Sequence, residues 1–331
     1  MSANLDMSNG QANIAFMGER NDVWHRMGQE MLPGQSIEEW AKSAGLNWKG
    51  VMVPAIASLE GSEFDHIETA ERHRLVSGKR FIVRSDNGRP LGFVSKKYKL
   101  VQPSEVLDWF DRYIAVDDRF QLDVAGSLGN GEIIWATATF REKLEVAGDA
   151  HLARLLMTTT YDGSGSTINQ GTMTRVVCNN TLDAAVADKR SVIKTKHNTM
   201  FDADKVSKEL AAIAQGFACY KVMGDAMAQH QMARDQVQAF FNDMLEIKAD
   251  EEISTRKKNQ LEKIEQAYET SIAEGAQRNS AWAALNAITR YVDHDRTNSA
   301  NDNKAFVSSQ FGSGKLLKDR AVAALQLAMA A

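Results

Sequence analysis

Two cysteines in 331 residues are too few for a disulfide framework. Cys178 and Cys219 share no motif spacing, so the chain reads as one for a reducing, cytoplasmic setting with both thiols buried. Prolines number four, with none after Pro103, which leaves long stretches open to uninterrupted strands and helices. No apolar run approaches the roughly 18 residues of a membrane span. Met1 to Gln11 is polar and lacks the basic and apolar regions of a secretory signal. Rich in Asn, Ser, Gln and Met, this first dozen reads as a mobile tail. Hydrophobic content of 44% and charged content of 25% are those of a globular protein with ample core.

Charge is present but unevenly placed. The chain carries 39 basic and 43 acidic residues, a net charge of −4. Between Arg72 and Gln102 there are nine Lys or Arg and one acid, Asp86. Phe81-Ile82-Val83 and Leu91-Gly92-Phe93-Val94 flank Asp86-Asn87-Gly88, and Asn-Gly suits a tight primed turn, so the window reads as a β-hairpin. Basic side chains with aromatics at Phe81, Phe93 and Tyr98 suit a nucleic-acid backbone and its bases. An edge hairpin that uses Lys and Arg against aggregation has the same composition.

Around the hairpin, patterning predicts an α+β chain. Ser36 caps a short helix to Ser43 with Glu38 and Glu39 in its first turn, and Val51 to Ile56 reads as a strand. A helix from Ser104 to Ile114 presents Val106, Leu107, Phe110 and Ile114 on one face. Period-two segments follow at 120–124, 133–140, 153–160 and 167–177, joined by glycine turns, which suggests an antiparallel sheet of at least four strands. Asn179 and Asn180 then open a predicted helix, Thr181 to Asp188. From about residue 203 the apolar spacing becomes helical, with Val206, Leu210, Ile213, Phe217 and on to Met244 on one helix of some ten turns. Charged or amphipathic helices follow near 251–273, 280–292 and 315–328. The expected division is a tail and small α/β segment at 1–70, an α+β core at 71–202 and a helical region at 203–331.

Signatures of catalysis are scarce. Gly312-Ser313-Gly314-Lys315 lacks the first glycine, the Ser or Thr after lysine and the βαβ unit of a P-loop, so it reads as a turn before the last helix. Gly126 to Gly131 lies between two strands, whereas a dinucleotide fingerprint opens a helix. The seven histidines show no metalloenzyme spacing, and Asp293-His294-Asp295 is the only tight cluster. One alternative takes Asp162, His197 and Asp293 as ligands of a catalytic metal. A second basic segment, Lys189, Arg190, Lys194 and Lys196, follows the predicted helix. With Arg175, Asn179 and Asn180 it provides groups suited to phosphate oxygens.

Several phrases carry a resemblance. Val23-Trp24-His25-Arg26-Met27-Gly28, Leu91-Gly92-Phe93-Val94 with Lys97-Tyr98, Ala125-Gly126-Ser127-Leu128, Tyr161-Asp162-Gly163-Ser164, Thr174-Arg175-Val176-Val177-Cys178-Asn179-Asn180-Thr181-Leu182 and Asn286-Ala287 through Asp293-His294 resemble a phage/plasmid-like protein family. Its shared domain has no assigned function. At Tyr161 the chain departs from the histidine of that pattern, so no histidine chemistry rests there. More loosely, the order of elements is similar to the core of phage single-strand annealing proteins of the Erf, RecT and Redβ kind. That resemblance implies a basic groove on a ring or filament of subunits holding single-stranded DNA.

The leading expectation is therefore an ATP-independent single-stranded-DNA binding and annealing protein for phage or plasmid recombination, non-enzymatic and without cofactor, working as a homo-oligomer. Arg80, Arg84, Arg89, Lys96, Lys97 and Lys99 would follow phosphates, with Phe93 or Tyr98 stacking. Arg175, Asn179, Asn180, Lys194 and Lys196 would form a second wall. The alternatives are a metal-dependent nuclease and a phage or plasmid protein that acts on a host factor.

Overall fold

In the computed structural model the described residues are 6–8, 10–17, 28–142, 144–162, 167–175, 181–183, 192–193, 203–248, 252–296, 308–309 and 312–330. The chain is α+β, with two sheets in its N-terminal part and helices after residue 203.

The larger sheet contains β1 (Ile14–Met17), β2 (Gln29–Met31), β6 (Phe120–Leu128), β7 (Ile133–Phe140), β8 (Leu144–Val146), β9 (Asp149–Thr160), β10 (Ile168–Arg175), β11 (Thr181–Asp183) and β12 (Val192–Ile193). Its path runs β11-β10-β9-β7-β6-β1-β2, antiparallel except where β1 meets β2. The smaller sheet is β3 (Gly50–Ser58), β4 (His73–Arg84) and β5 (Pro90–Ser95), in that order. The basic hairpin therefore belongs to a sheet of its own and not to the meander that follows it.

Local chemistry sets the element ends. Ser36 and Glu39 make reciprocal side-chain bonds at the start of α1 (Ile37–Ser43), a capping box. Pro103 is the first residue of α2 (Pro103–Val116), where a missing N–H costs nothing. Pro54 lies in the edge strand β3 and Pro90 begins β5, the two sheet positions that tolerate proline.

One face of the large sheet, with Ala136, Ala138, Leu155 and Met157, packs against α2 and against α3 (Ala203–Gln229) in the main core. Gly171 of β10 lets Phe217 and Ile213 of α3 come so close that an added Cβ would meet them at 3.0 and 3.1 Å. The opposite face gathers a smaller cluster of Ile14, Phe16, Val124, Ile133, Trp135 and Leu156.

Four expectations are corrected. Asp6 and Ala12 of the supposed tail are buried, and Asp6 N–H donates to the Ser127 carbonyl at 3.2 Å. Thr181 does not open a helix. Thr181–Asp183 pairs with Thr172–Thr174 as β11, because a neighbouring strand offers ladder bonds that a local signal cannot weigh. The long helix is two, α3 and α4 (Arg234–Met244). Between them Met232 N–H donates to Asn279 and Ala281 N–H to His230, so backbone pairing with a distant segment replaces the helical bonds. Cys219 on α3 is only half-buried. Helices α5 (Thr255–Ala273), α6 (Ala281–Arg290) and α7 (Ser313–Ala330) follow, with a π-helical turn at Tyr291–Asp295. Among the described residues no helix is long and apolar enough to cross a membrane.

Candidate nucleic-acid interface

Antiparallel register determines what the small sheet presents. Val53, Phe81 and Phe93 are direct cross-strand partners, so they share one face. Phe93 is 45% exposed and packs on Phe81 with ring centroids 5.1 Å apart. The ammonium of Lys79 sits 5.2 Å from the Phe93 centroid, within cation–π range. Lys79, Arg89, Lys96, Lys97 and Lys99 are exposed, and among the described residues none of them has an ion-pair partner. After β5 the chain turns tightly: Lys96 N–H donates to Gly78, Lys97 N–H to Ser95 Oγ and Tyr98 N–H to Ser95. Those three bonds fix the turn that carries Lys96, Lys97 and Lys99 directly after β5.

Two of the expected contacts are committed elsewhere. Arg84 is 1% exposed. Its guanidinium pairs with Asp6 at 2.7 Å and Asp86 at 2.7 Å, donates to the Asn130 carbonyl at 2.9 Å and lies 4.5 Å from the Trp48 ring centroid. It cannot follow a phosphate, because it is internal. Burial works against its charge, but Asp86 and Asp6 outweigh that and raise its pKa. Burial also works against ionised Asp6, yet hydrogen bonds from Ser8 and Asn13 and the charge of Arg84 leave its carboxyl below the ordinary value. At Asp86 the Arg84 bond dominates and lowers the carboxyl. Tyr98 is half-buried, and its hydroxyl donates to the Thr160 carbonyl at 2.6 Å, so it serves as a tie to β9 and not as a stacking platform. Burial and the charge of Asp162 push its phenol up. Arg80 is half-buried and donates to the Lys79 carbonyl at 2.9 Å.

The turn also differs from the expected two-residue form. Arg84 N–H donates to Arg89 and Gly88 N–H to Arg84, each at 2.9 Å, so four residues lie in the loop and only Gly88 has positive φ, 70°. This longer loop carries Asp86 back onto Arg84. Lys49 meets it from the other side: its N–H donates to Ser85 Oγ at 2.8 Å, and its carbonyl accepts from Ser85 N–H at 2.9 Å. Lys79 and Lys49 are the two cations that hairpin reasoning passed over. Period-two alternation from Phe81 is the signal that puts Lys79 on the aromatic face.

The hairpin docks on the end of β9 through Gly92, where an added Cβ would lie 1.8 Å from the Tyr161 carbonyl oxygen. Tyr161 is fully buried and its hydroxyl donates to Val101 at 2.7 Å.

Those residues, from Gly92 on, fall within the one stretch that a family model recognises: residues 90–316 match a domain of unknown function, DUF932. The chain belongs to the DUF932 family. No curated protein and no solved structure matches it. The DUF932 segment begins with β5 and so takes in Phe93, Lys96, Lys97 and Lys99, while Lys79 and Arg80 on β4 precede it. Of the second wall, Arg175 ends β10 opposite His151 of β9, and Asn179, Asn180, Lys194 and Lys196 lie outside the described residues. For the metal alternative, Asp293 accepts from Lys318 at 2.8 Å, with 9% and 3% of the two side chains exposed. Asp162 is exposed beside Gly92, and His197 lies outside the described residues. Among the described residues no three His, Cys, Asp or Glu side chains are grouped to hold a metal.

Proposed function

We propose that this member of the DUF932 family binds single-stranded DNA on the small sheet and anneals it without ATP, as phage and plasmid recombination requires. The observation that carries the reading is the Lys79 ammonium 5.2 Å from the centroid of an exposed Phe93, with Lys96, Lys97 and Lys99 close by on one tight turn. An exposed ring beside exposed cations supplies both parts of sequence-tolerant strand binding: a stacking surface and charge for the backbone. In annealing, the cations hold phosphates, Phe93 holds one base in register, and neighbouring bases face outward for pairing. The four lysines differ from Arg84 in this respect, since no carboxylate among the described residues pairs with them.

The test is binding of labelled single-stranded and duplex oligonucleotides across a salt series, first without metal and then with Mg²⁺. The expected result is salt-sensitive binding that favours single strands, with the oligonucleotide intact in Mg²⁺. Cleavage in Mg²⁺ would replace the reading with a nuclease. Absence of binding at low salt would overturn it in favour of a protein partner.

A further inference from the structure

The small sheet continues beyond its basic face. β3 and β4 pair on past the end of β5, through Ile56↔Leu75, Ala57↔Arg74 and Ser58↔His73, while β5 pairs β4 only from Lys79 to Val83. At about 3.3 Å per residue, the arm from Gly78 to His73 projects roughly 16 Å beyond the third strand. Its character is the reverse of the base. Glu60, Glu63, Asp65, Glu68 and Glu71 lie at 59–71 with no Lys or Arg among them. Arg72 and Arg74 neutralise only Asp65 and Glu71, so Glu63 and Glu68 have no basic partner among the described residues. Ile56 and Leu75, paired across the arm, are 54% and 66% exposed. At the base, Phe93 is 45% exposed beside Lys79, and Val51, opposite Val83 on the other edge strand, is 42% exposed. Among the described residues, four of the nine exposed large hydrophobic side chains thus lie on one three-stranded sheet.

We infer that the arm docks on the basic face of a second copy of this chain. The arm offers the exposed Ile56–Leu75 pair among acids and the base offers exposed Phe93 among lysines, so the two surfaces match in both hydrophobicity and charge. The same two strands run from the basic face into the arm, and the tip therefore leads away from the face it springs from. The contact joins different surfaces on the two copies, which makes it head-to-tail, and repetition builds a ring or a filament. It rests on the layout of the sheet and not on the nucleic-acid reading. Because a strand and an arm use the same lysines, they exclude one another at each face.

Light scattering of the full-length chain at low salt, with two charge-reversed forms, tests the inference. The parent assembles, and its mean mass falls as salt is raised. Glu63→Lys with Glu68→Lys reverses the sign of the arm, and Lys96→Glu with Lys97→Glu opposes the charge of the face. Each pair of substitutions reduces the mass to that of one chain, 36.6 kDa. Mixed in equal amounts, the intact acidic arm of one form meets the intact basic face of the other, and the mean mass rises to at least twice that value. A monomeric parent, an arm-reversed form that still assembles, or a mixture that stays monomeric would each overturn the head-to-tail contact. Circular dichroism confirms that both forms are folded. Oligonucleotide binding by the arm-reversed form reports separately: if it binds as well as or better than the parent, the strand site stands whatever the assembly result.

Discussion

Arg84→Met is the substitution that best tests the reading of the hairpin. Methionine keeps most of the length and apolar bulk of the buried side chain, so no large cavity forms and the loss is electrostatic. What remains is Asp6, whose side chain is 0% exposed, with bonds from Ser8 N–H at 2.9 Å and Ser127 Oγ at 3.0 Å but no cation among the described residues. Breaking one side of a buried pair costs about 3–5 kcal/mol, because the other charge is left uncompensated. The guanidinium's interactions with Trp48 and the Asn130 carbonyl also disappear, though these overlap with the first term. With a urea dependence of about 3 kcal/mol per molar, the unfolding midpoint moves down by about 1 M. Adding Asp6→Asn to Arg84→Met removes the orphaned charge and restores part of the loss, so the double variant is more stable than Arg84→Met alone. Urea unfolding followed by circular dichroism reads both. A midpoint for Arg84→Met within about 0.2 M of the parent, or a double variant weaker than the single, would refute the buried triad. Salt-dependent oligonucleotide binding supplies an independent check: Arg84→Met leaves its slope unchanged, since an internal guanidinium releases no counterion.

Other outcomes follow from the same geometry. Lys96→Ala, Lys97→Ala and Lys99→Ala together flatten the dependence of binding on salt, and each phosphate left without its lysine lowers the single-strand slope by about 0.7; an unchanged slope in the folded variant removes this turn from the interface. Phe93→Ala weakens strand binding by about 1–3 kcal/mol if a base stacks there, with little change in the unfolding midpoint because the ring is already 45% exposed. Gly92→Ala drives a methyl into the Tyr161 carbonyl, 1.8 Å away. Backbone on both sides prevents easy relief, so stability falls by about 3 kcal/mol in a urea titration. The carboxyls of Asp6 and Asp86 are held below their ordinary values. Their contribution is therefore complete above the unfolded value of about 3.9 and is lost as pH falls through the folded values. An acid titration of Asp6→Asn with Asp86→Asn should show a shallower loss of stability below pH ~4 than the parent.

Alternation, caps and proline placement determined the elements from sequence alone. Ser36 with Glu39, Pro103 at the head of α2 and the apolar phases of β6 and β7 are local signals. They act over a few residues, and neighbouring structure reinforces them. The candidate interface was half legible on the same terms. A basic hairpin could be read from its residue types, but not which of its cations point outward. Tertiary structure alone decided that Arg84 turns inward to meet Asp6, 78 residues away. It separated the hairpin into its own sheet, because Gly92 lets the small sheet abut the end of β9 side-on without joining its ladder. It made Thr181–Asp183 a strand, and it divided the long helix at His230 through bonds to Asn279 and Ala281. Each of these depends on a partner distant in sequence, whose approach supplies hydrogen bonds or an opposite charge that no local pattern encodes.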